Sequence, residues 1–388
     1  MESVAQAAVA RPRENAAALP WYLSAMLIGS TSIAVGLLWD ISWHMTIGRD
    51  TFWTPAHMAI YLGGVLAGIS CGWLAFKTTF AGSEEERAVS VRFWGFRAPY
   101  GAWVAIWGAI AMLTSAPFDN WWHNAYGLDV QILSPPHAVL GAGMIAIQIG
   151  AMMLALALLN RAPAGAERRL GLAHLYAAGI VILMAMTLVT EYSYPNQRHG
   201  GLFYEIMAGL LPFTLVSVAR SSRLRWAATI AAAFYMLLTG AMVWILPLFP
   251  AQPKLGPINT PLDHMVSPVF PLLLVVPALA IDLILQRREG KRAGWLDAVL
   301  IGVSFFALFF VIHWYFAELQ LSPASHNWFF AGDRIWDYST TPGHWQYEFW
   351  KPKEDPMTAK ALGVSLLWAI GSSGLGLLRG RWLAKVQR

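Results

Sequence analysis

Two stretches of the chain repeat one arrangement of aspartate and histidine. The first reads DISWHMTIGRDTFWTPAH over residues 40–57, and the second reads DNWWHNAYGLDVQILSPPH over residues 119–137. In each stretch an Asp lies four residues before a His that follows a Trp, a second Asp lies six residues after that His, and a Pro precedes the closing His. Recurrence of the whole pattern indicates a shared chemical task.

The spacing is that of a metal-ligand set. Asp40 and His44 project from one face of a helix, and His57 begins the next, antiparallel helix, where it can close on them. Two imidazoles and one carboxylate suit copper, non-haem iron or zinc and leave coordination positions open. The second copy offers the same set as Asp119, His123 and His137. The local spacing allows one dinuclear site or two separate sites.

The second Asp of each copy has two possible roles. Asp50 and Asp129 could accept a hydrogen bond from an imidazole N–H, which fixes a ligating ring, or could be additional ligands. The alternative to a metal site is a set of buried polar groups that join helix ends, with Pro55 and Pro136 starting helices. Placing an ionisable side chain at membrane depth costs free energy, and such residues are usually functional, which favours metal binding.

Further histidines extend the pattern in weaker form. His313 and His326 keep the thirteen-residue step of the first copy, but Phe309 stands where the leading Asp would be. This pair is a candidate for additional or supporting ligands, and TPLDH, with His264, resembles a fainter fourth copy. Five polar residues have a weaker claim to be ligands: His199, His264, His344, Glu191 and Glu318. His174 is expected to be structural.

The composition defines a membrane protein. Of the 388 residues 57% are hydrophobic and 13% are charged, with a mean hydropathy of +0.48, so the chain cannot solvate an ordinary soluble surface. Cys71 is the only cysteine, which excludes an intramolecular disulfide, a CxxC pair and a thiolate metal cluster. No GxxxxGK or HExxH motif is present, and the basic residues lie between apolar runs rather than in a nucleic-acid-binding stripe.

Ten stretches are long and apolar enough to span a membrane, which takes about 20 residues. The sequence therefore predicts an all-α, polytopic bundle of about ten transmembrane helices, built from repeated helix hairpins. We place the spans at 21–43, 56–76, 99–118, 136–160, 170–190, 201–219, 226–248, 264–286, 295–316 and 358–378.

The spans form one membrane domain, 21–388, after a tail over residues 1–20 that is typical of a cytoplasmic segment rather than a cleaved signal peptide. Arg and Lys cluster after even-numbered spans and in both tails, so the positive-inside rule places both termini in the cytoplasm of a bacterial inner-membrane protein. The parts of the domain are a first motif hairpin at 21–76, a second at 99–160, four further helices at 170–286, and a third, degenerate hairpin at 295–388 with a long outer loop at 317–357.

This topology gathers histidine on one side. Nine of the ten histidines fall at or near outer helix ends, and only His174 lies near the inner side. Trp and Tyr crowd the same segments, as expected of an interfacial aromatic belt. The loop at 317–357 is too long for a simple turn and could cover the metal cluster or dock another membrane subunit.

The string DISWHMTIGRDTFWTPAHMAIYL resembles the signature of the C subunit of the copper membrane monooxygenases, the particulate methane and ammonia monooxygenases. Asp40, His44 and His57 match the three ligand positions of that pattern. Five further residues match the stretch between them: Arg49, Asp50, Thr51, Thr54 and Pro55. The resemblance spans roughly residues 39–62 and implies copper as the cofactor, with oxygen chemistry on a small hydrophobic substrate. The chain is longer than that subunit, is internally duplicated, and has no soluble copper domain like that of the family's B subunit.

Two functions compete. The first is an oxygen-dependent, monooxygenase-like membrane oxidoreductase. The second is a protein that binds metal without catalysis, such as a carrier, or an assembly factor or accessory subunit of a membrane oxidase complex. A pump or channel would need polar groups part-way down the spans, and Gln148, Glu205 and Asp282 are among the few. Bis-histidine haem ranks lowest, because the Asp of each copy would have no role.

Overall fold

The computed structural model describes residues 18–48, 50–127, 134–163, 165–252, 254, 262–290, 294–332 and 355–388. Asp129, His344, Arg49 and most of the predicted cytoplasmic tail lie outside these residues, as does the middle of the long outer loop. The helices are α1 (Trp21–Thr46), α2 (Pro55–Phe80), α3 (Glu84–Ala88), α4 (Tyr100–Tyr126), α5 (Pro135–Asn160), α6 (Glu167–Leu188), α7 (Gly201–Ser221), α8 (Ala227–Ile245), α9 (Val275–Arg287), α10 (Trp295–Gln320) and α11 (Ala359–Leu383). A small antiparallel hairpin, β1 (Val91–Phe93) and β2 (Phe96–Ala98), precedes α4.

The predicted fold class is confirmed. Within the described residues, nine helices are long and apolar enough to cross a membrane, namely all of those above except α3 and α9. Large apolar side chains cover the outside of the bundle, as Ile28, Leu62, Ile69 and Leu367 show. Such a surface suits lipid and not water.

The eighth predicted span is not a continuous helix. The sequence predicted a helix over 264–286, but the chain becomes helical only at Val275. Pro268 and Pro271 explain the difference, because proline has no N–H to donate and forces the residue before it into an extended conformation. Hydropathy alone cannot distinguish an apolar extended segment from an apolar helix.

The extended segment and α9 still run from one end of the bundle to the other. At one end, the hydroxyl of Ser42 donates to Val266 O, and Val266 N donates to the hydroxyl of Thr46, near the last turn of α1. At the other end, the Asp282 carboxylate accepts hydrogen bonds from Ala228 N and Thr229 N, at the first turn of α8. Together they occupy the place of the eighth predicted span, in a different conformation.

The first two motif hairpins pack through equivalent glycines. In the α1–α2 pair a Cβ on Gly63 would lie 2.4 Å from Gly29 O, and in the α4–α5 pair a Cβ on Gly143 would lie 2.7 Å from Gly108 O. Gly29 and Gly108 each lie eleven residues before the leading Asp of their motif, and Gly63 and Gly143 each lie six residues after the closing His. Small residues allow membrane helices to approach closely. The duplication therefore includes the helix packing beneath the motif.

Candidate metal centres

The first cluster consists of Asp40, His44, Asp50 and His57, where α1 ends and α2 begins. Asp40 Oδ1 lies 3.3 Å from His57 Nε2, and Asp40 Oδ2 lies 3.8 Å from His44 Nε2. Asp50, from the connection, places Oδ2 2.7 Å from His57 Nε2 and 3.4 Å from His44 Nε2. Two carboxylates and two imidazoles thus converge on one point. The His44 side chain is half exposed, while the other three are mostly covered.

The connection between α1 and α2 fixes the orientation of His57. Thr51 N donates to the Thr54 hydroxyl at 2.8 Å, which folds the chain into a tight turn before Pro55 starts α2. The turn brings Thr51 O to 2.9 Å from His57 Nδ1. Because a carbonyl oxygen only accepts, Nδ1 carries a ring proton, so Nε2 is the nitrogen that faces Asp40 and Asp50 and would bind a metal in place of its own proton. A backbone carbonyl on the second ring nitrogen is the usual support of a ligating histidine.

The second cluster consists of Asp119, His123 and His137, where α4 ends and α5 begins. Asp119 Oδ1 lies 3.2 Å from His137 Nε2, and Asp119 Oδ2 lies 3.4 Å from His123 Nε2. The two imidazole rings are tilted by 57° to each other, with centroids 5.7 Å apart. His123 Nδ1 lies 3.3 Å from Gly127 O at the end of α4, which again leaves Nε2 toward the carboxylate. Helix α4 continues to Tyr126, beyond its predicted end at 118, so Asp119 and His123 lie on the same helical face.

The two clusters pair equivalent atoms. In each, one oxygen of the leading Asp faces the His four residues later, and the other oxygen faces the closing His across the hairpin. Within the described residues, Asp40 Oδ1 and Asp119 Oδ1 are both buried without a hydrogen bond of acceptable geometry, and so are the indole N–H groups of Trp43 and Trp122. Buried polar atoms are rarely left without partners. A cation between carboxylate and imidazole would satisfy both carboxylate oxygens.

The spacing of the ligand atoms fits a bound metal. Tetrahedral coordination with bonds of about 2.1 Å places neighbouring ligand atoms about 3.4 Å apart. In the two clusters, the oxygens of Asp40 and Asp119 lie 3.2, 3.3, 3.4 and 3.8 Å from the imidazole nitrogens that they face. The ligand atoms of Asp119, His123 and His137 lie within 4.8 Å of one another, as do those of Asp40, His44 and Asp50. The three ligand atoms of each group therefore lie close enough together to share one metal ion.

Asp50 has a geometry that the sequence left open. It lies among the ligand groups themselves, in contact with both imidazoles. Burial would raise the pKa of Asp50, but the hydrogen bonds to His44 and His57 outweigh it and hold this pKa far below its usual range. The carboxylate is therefore ionised and can bind a cation directly. Its counterpart in the second motif, Asp129, lies outside the described residues.

Tyr61 links the surroundings of the two clusters and was missed by sequence reasoning. It lies one turn after His57 on α2, with the two ring centroids 5.9 Å apart. The charges of Asp119, Asp50 and Asp40 all act on its hydroxyl, which places Tyr61 within electrostatic range of both clusters. The i, i+4 relation to His57 was visible in the sequence, but the approach of α4 was not.

The third histidine pair is not brought into either cluster. His313 is fully buried; its Nδ1 bonds to Phe309 O and its Nε2 accepts from Leu273 N. Phe309, which replaces the leading Asp, stacks on the His313 ring at 4.0 Å. His326 is exposed on the connection after α10. The imidazole of His313 thus supports the extended segment before α9.

The weaker candidates lie in other settings. His264 bonds to Asp263 at 2.7 Å, and the His199 ring packs edge-on against Trp314. His174 lies inside the bundle, with one ring nitrogen 3.2 Å from Met152 O and the other 3.4 Å from the Ser221 hydroxyl. Glu191 and Glu318 are both exposed.

The fold and these clusters define a polytopic helical membrane protein with two His/Asp groups that are able to hold metal ions. Comparison with protein-family models, with curated proteins and with solved structures gives no match. The resemblance to the copper monooxygenase C subunit therefore stays a prediction.

Proposed function

We propose that this chain is a membrane metalloprotein that binds one metal ion in each cluster. The observation that carries the proposal is the repetition of one atom pairing: Asp40 between His44 and His57, and Asp119 between His123 and His137. A hydrogen-bonding device for helix ends would not need the same carboxylate and imidazole atoms in both copies. It would also not leave a buried carboxylate oxygen without a hydrogen bond in each.

Copper is the proposed metal, and oxygen-dependent oxidation of a small hydrophobic substrate is the proposed reaction. The donor set supports copper and also suits non-haem iron or zinc; the string over 39–62 favours copper through its resemblance. A bound copper ion would supply Lewis-acid and one-electron chemistry. The residues of the chain hold the ring proton on His57 Nδ1 through Thr51 O, and present the half-exposed His44 on the open side of the site.

Both clusters are proposed to face the periplasm of a bacterial inner membrane. They lie at helix ends away from the basic group around Arg161, Arg223 and Arg288, which the positive-inside rule assigns to the cytoplasm. Arg223 pairs with Glu167 at the start of α6, on the side opposite to the end of α4. Metal could therefore enter the clusters without crossing the membrane.

A second candidate function is that of an accessory subunit that binds metal within a larger membrane oxidase complex. Large aromatic side chains next to both clusters favour it: Trp53 is 73% exposed, Tyr126 is 64% exposed and Trp121 is 54% exposed. Aromatic residues are enriched at protein interfaces.

Elemental mass spectrometry of detergent-purified protein tests metal binding. We expect near-stoichiometric copper in the wild type and loss of a share of it in His44→Ala/His57→Ala and in His123→Ala/His137→Ala. His199→Ala, at a histidine outside the clusters, is the matched control and should keep all of the metal. A wild type that cannot be loaded with copper, iron or zinc would overturn the proposal.

Oxygen consumption separates the two candidate functions once metal is bound. An enzyme should consume oxygen in the presence of a reductant and a small hydrocarbon or amine, and each double variant should consume less. An accessory subunit should bind the metal fully and consume no oxygen alone.

A further inference from the structure

Arg198, in the connection between α6 and α7, is fully buried without an anionic partner. Its Nε donates to Ser193 O at 2.9 Å, one terminal nitrogen donates to the Gln320 side chain, and the other lies 3.5 Å from Phe270 O. All three acceptors are uncharged. No carboxylate pairs with this guanidinium in the part of the chain that the structure describes.

The charge of Arg198 persists inside the protein. Burial lowers the pKa of Arg198 to about 10, opposed by the nearby Tyr235 and Tyr204, so the side chain remains protonated at neutral pH. A guanidinium has five N–H donors, and the three contacts above use one each. Two donors are therefore left on a buried cation, and buried charges are normally paired.

Arg198 lines a cavity whose other polar groups also have capacity for hydrogen bonds. The cavity has a volume of about 50 Å³ and lies between the ends of α1 and α6, α8 and the extended segment before α9. Two of its lining hydroxyls, on Thr239 and Ser267, are buried without any hydrogen-bond partner in the described residues. The Tyr235 hydroxyl accepts from Leu272 N and keeps its own proton to donate.

The shape and wall of the cavity define the size and class of a ligand. A buried water takes about 10–15 Å³ on the same measure, so about 50 Å³ holds three to five non-hydrogen atoms. Much of the remaining wall is apolar, with Leu38, Leu183 and Met186 among its members. A planar carboxylate matches the two remaining N–H groups of a guanidinium, and a short alkyl group matches the apolar wall.

We propose that this cavity binds a small carboxylate anion, of the size of formate or acetate, through Arg198 with help from the hydroxyls of Thr239, Ser267 and Tyr235. Non-helical backbone within a membrane bundle is tolerated where it lines a cavity, and in transporters such broken segments hold the ligand. The extended segment 266–274 takes this position here. The site is separate from both metal clusters and does not depend on the proposed function.

Thermal unfolding of the purified, metal-free chain with added sodium acetate tests the site, with chloride keeping the ionic strength constant. A ligand that binds only the folded state raises the unfolding temperature in a saturable way. We expect this rise for acetate and formate in the wild type, and not for phosphate, because a tetrahedral and more highly charged anion matches neither the planar pair of N–H groups nor the apolar wall. Arg198→Gln should raise the half-saturating acetate concentration about ten-fold or more, as expected for loss of a charged hydrogen bond.

Two further variants keep the test decisive if Arg198→Gln does not fold. Thr239→Val/Ser267→Ala removes the two hydroxyls but leaves every described contact of Arg198, and should weaken acetate binding several-fold. Arg379→Gln changes another arginine, which is half-buried and lies over the Phe213 ring, and should bind acetate like the wild type. No saturable effect of acetate on the wild type, equal binding by the hydroxyl variant, or tighter binding of phosphate than of acetate would overturn the proposal. The first two results would identify Arg198 as a clamp for the extended segment only.

Discussion

Asp40 on α1 faces His57 on α2, with Asp40 Oδ1 3.3 Å from His57 Nε2, and the backbone carbonyl of Thr51 holds the opposite nitrogen of the same ring at 2.9 Å. The Thr51 carbonyl thus orients the imidazole ring, and Nε2 of that ring points at the Asp40 carboxylate. The distance of 3.2 Å between Asp119 Oδ1 and His137 Nε2 repeats the first of these two contacts in the second hairpin.

Loss of the turn that orients His57 should weaken metal binding at the first cluster alone. Thr54 is buried, and its hydroxyl accepts the hydrogen bond that brings Thr51 O to the ring. We expect Thr54→Val to lower metal affinity at the first cluster by about ten-fold, the lower end of the effect of removing a group that supports a ligand. Competitive titration with a chromophoric chelator measures both affinities.

Ser134→Ala is the variant of the second cluster that corresponds to Thr54→Val at the first. The Ser134 hydroxyl caps the first turn of α5 by accepting from His137 N, at 3.4 Å. This change should weaken the second cluster and leave the first unchanged. Equal losses at both clusters in either variant would argue against two independent ligand sets.

The glycine contacts beneath the clusters should be required for stability. A Cβ at Gly63 would meet Gly29 O at 2.4 Å, which forces α1 and α2 apart. We expect Gly63→Ala to lower the free energy of unfolding by about 1–3 kcal/mol, the usual cost of overpacking, and Gly143→Ala to behave alike. Thermal unfolding in detergent provides the measurement.

Gly72, also on α2, is the matched control for these variants. A Cβ there would meet nothing within 4 Å. Because alanine favours helix more than glycine does, Gly72→Ala should be neutral or slightly stabilising. A loss of stability in Gly72→Ala as large as in Gly63→Ala would show that the close approach of the helices is not the cause.

The orientation of the bundle can be tested by cysteine labelling in intact cells. Cys71 is buried and should not react, so the wild type is its own background. Trp53 is exposed beside the first cluster, and Glu85 is exposed on α3 at the opposite end of α2. We expect a membrane-impermeant maleimide to label Trp53→Cys but not Glu85→Cys until the cells are lysed. The reverse pattern would place the clusters in the cytoplasm.

Much of the fold was predictable because apolar runs of the right length leave few alternatives to a membrane helix. The exception at 264–274 arose where Pro268 and Pro271 interrupt such a run. Hydropathy does not register this local conformation, although the two prolines did signal it.

The Asp and His residues of the clusters could also be predicted, because a helical spacing of four places two side chains on one face and a short connection brings the next helix close. Asp50 was left between two roles, since the path of an irregular connection is not set by spacing. Arg198 could not be found in this way, because its burial results from tertiary packing of the connection after α6, α10 and the extended segment.

We propose that each hairpin holds its own metal ion through one Asp between two imidazoles. Metal stoichiometry in asparagine variants is a direct test. Asp40→Asn and Asp119→Asn keep the size of the side chain and remove its charge. We expect two copper ions per chain in the wild type, one in each single variant and none in Asp40→Asn/Asp119→Asn, with all four proteins folded by circular dichroism. Unchanged copper in the double variant, or no copper in the wild type after loading, would contradict it.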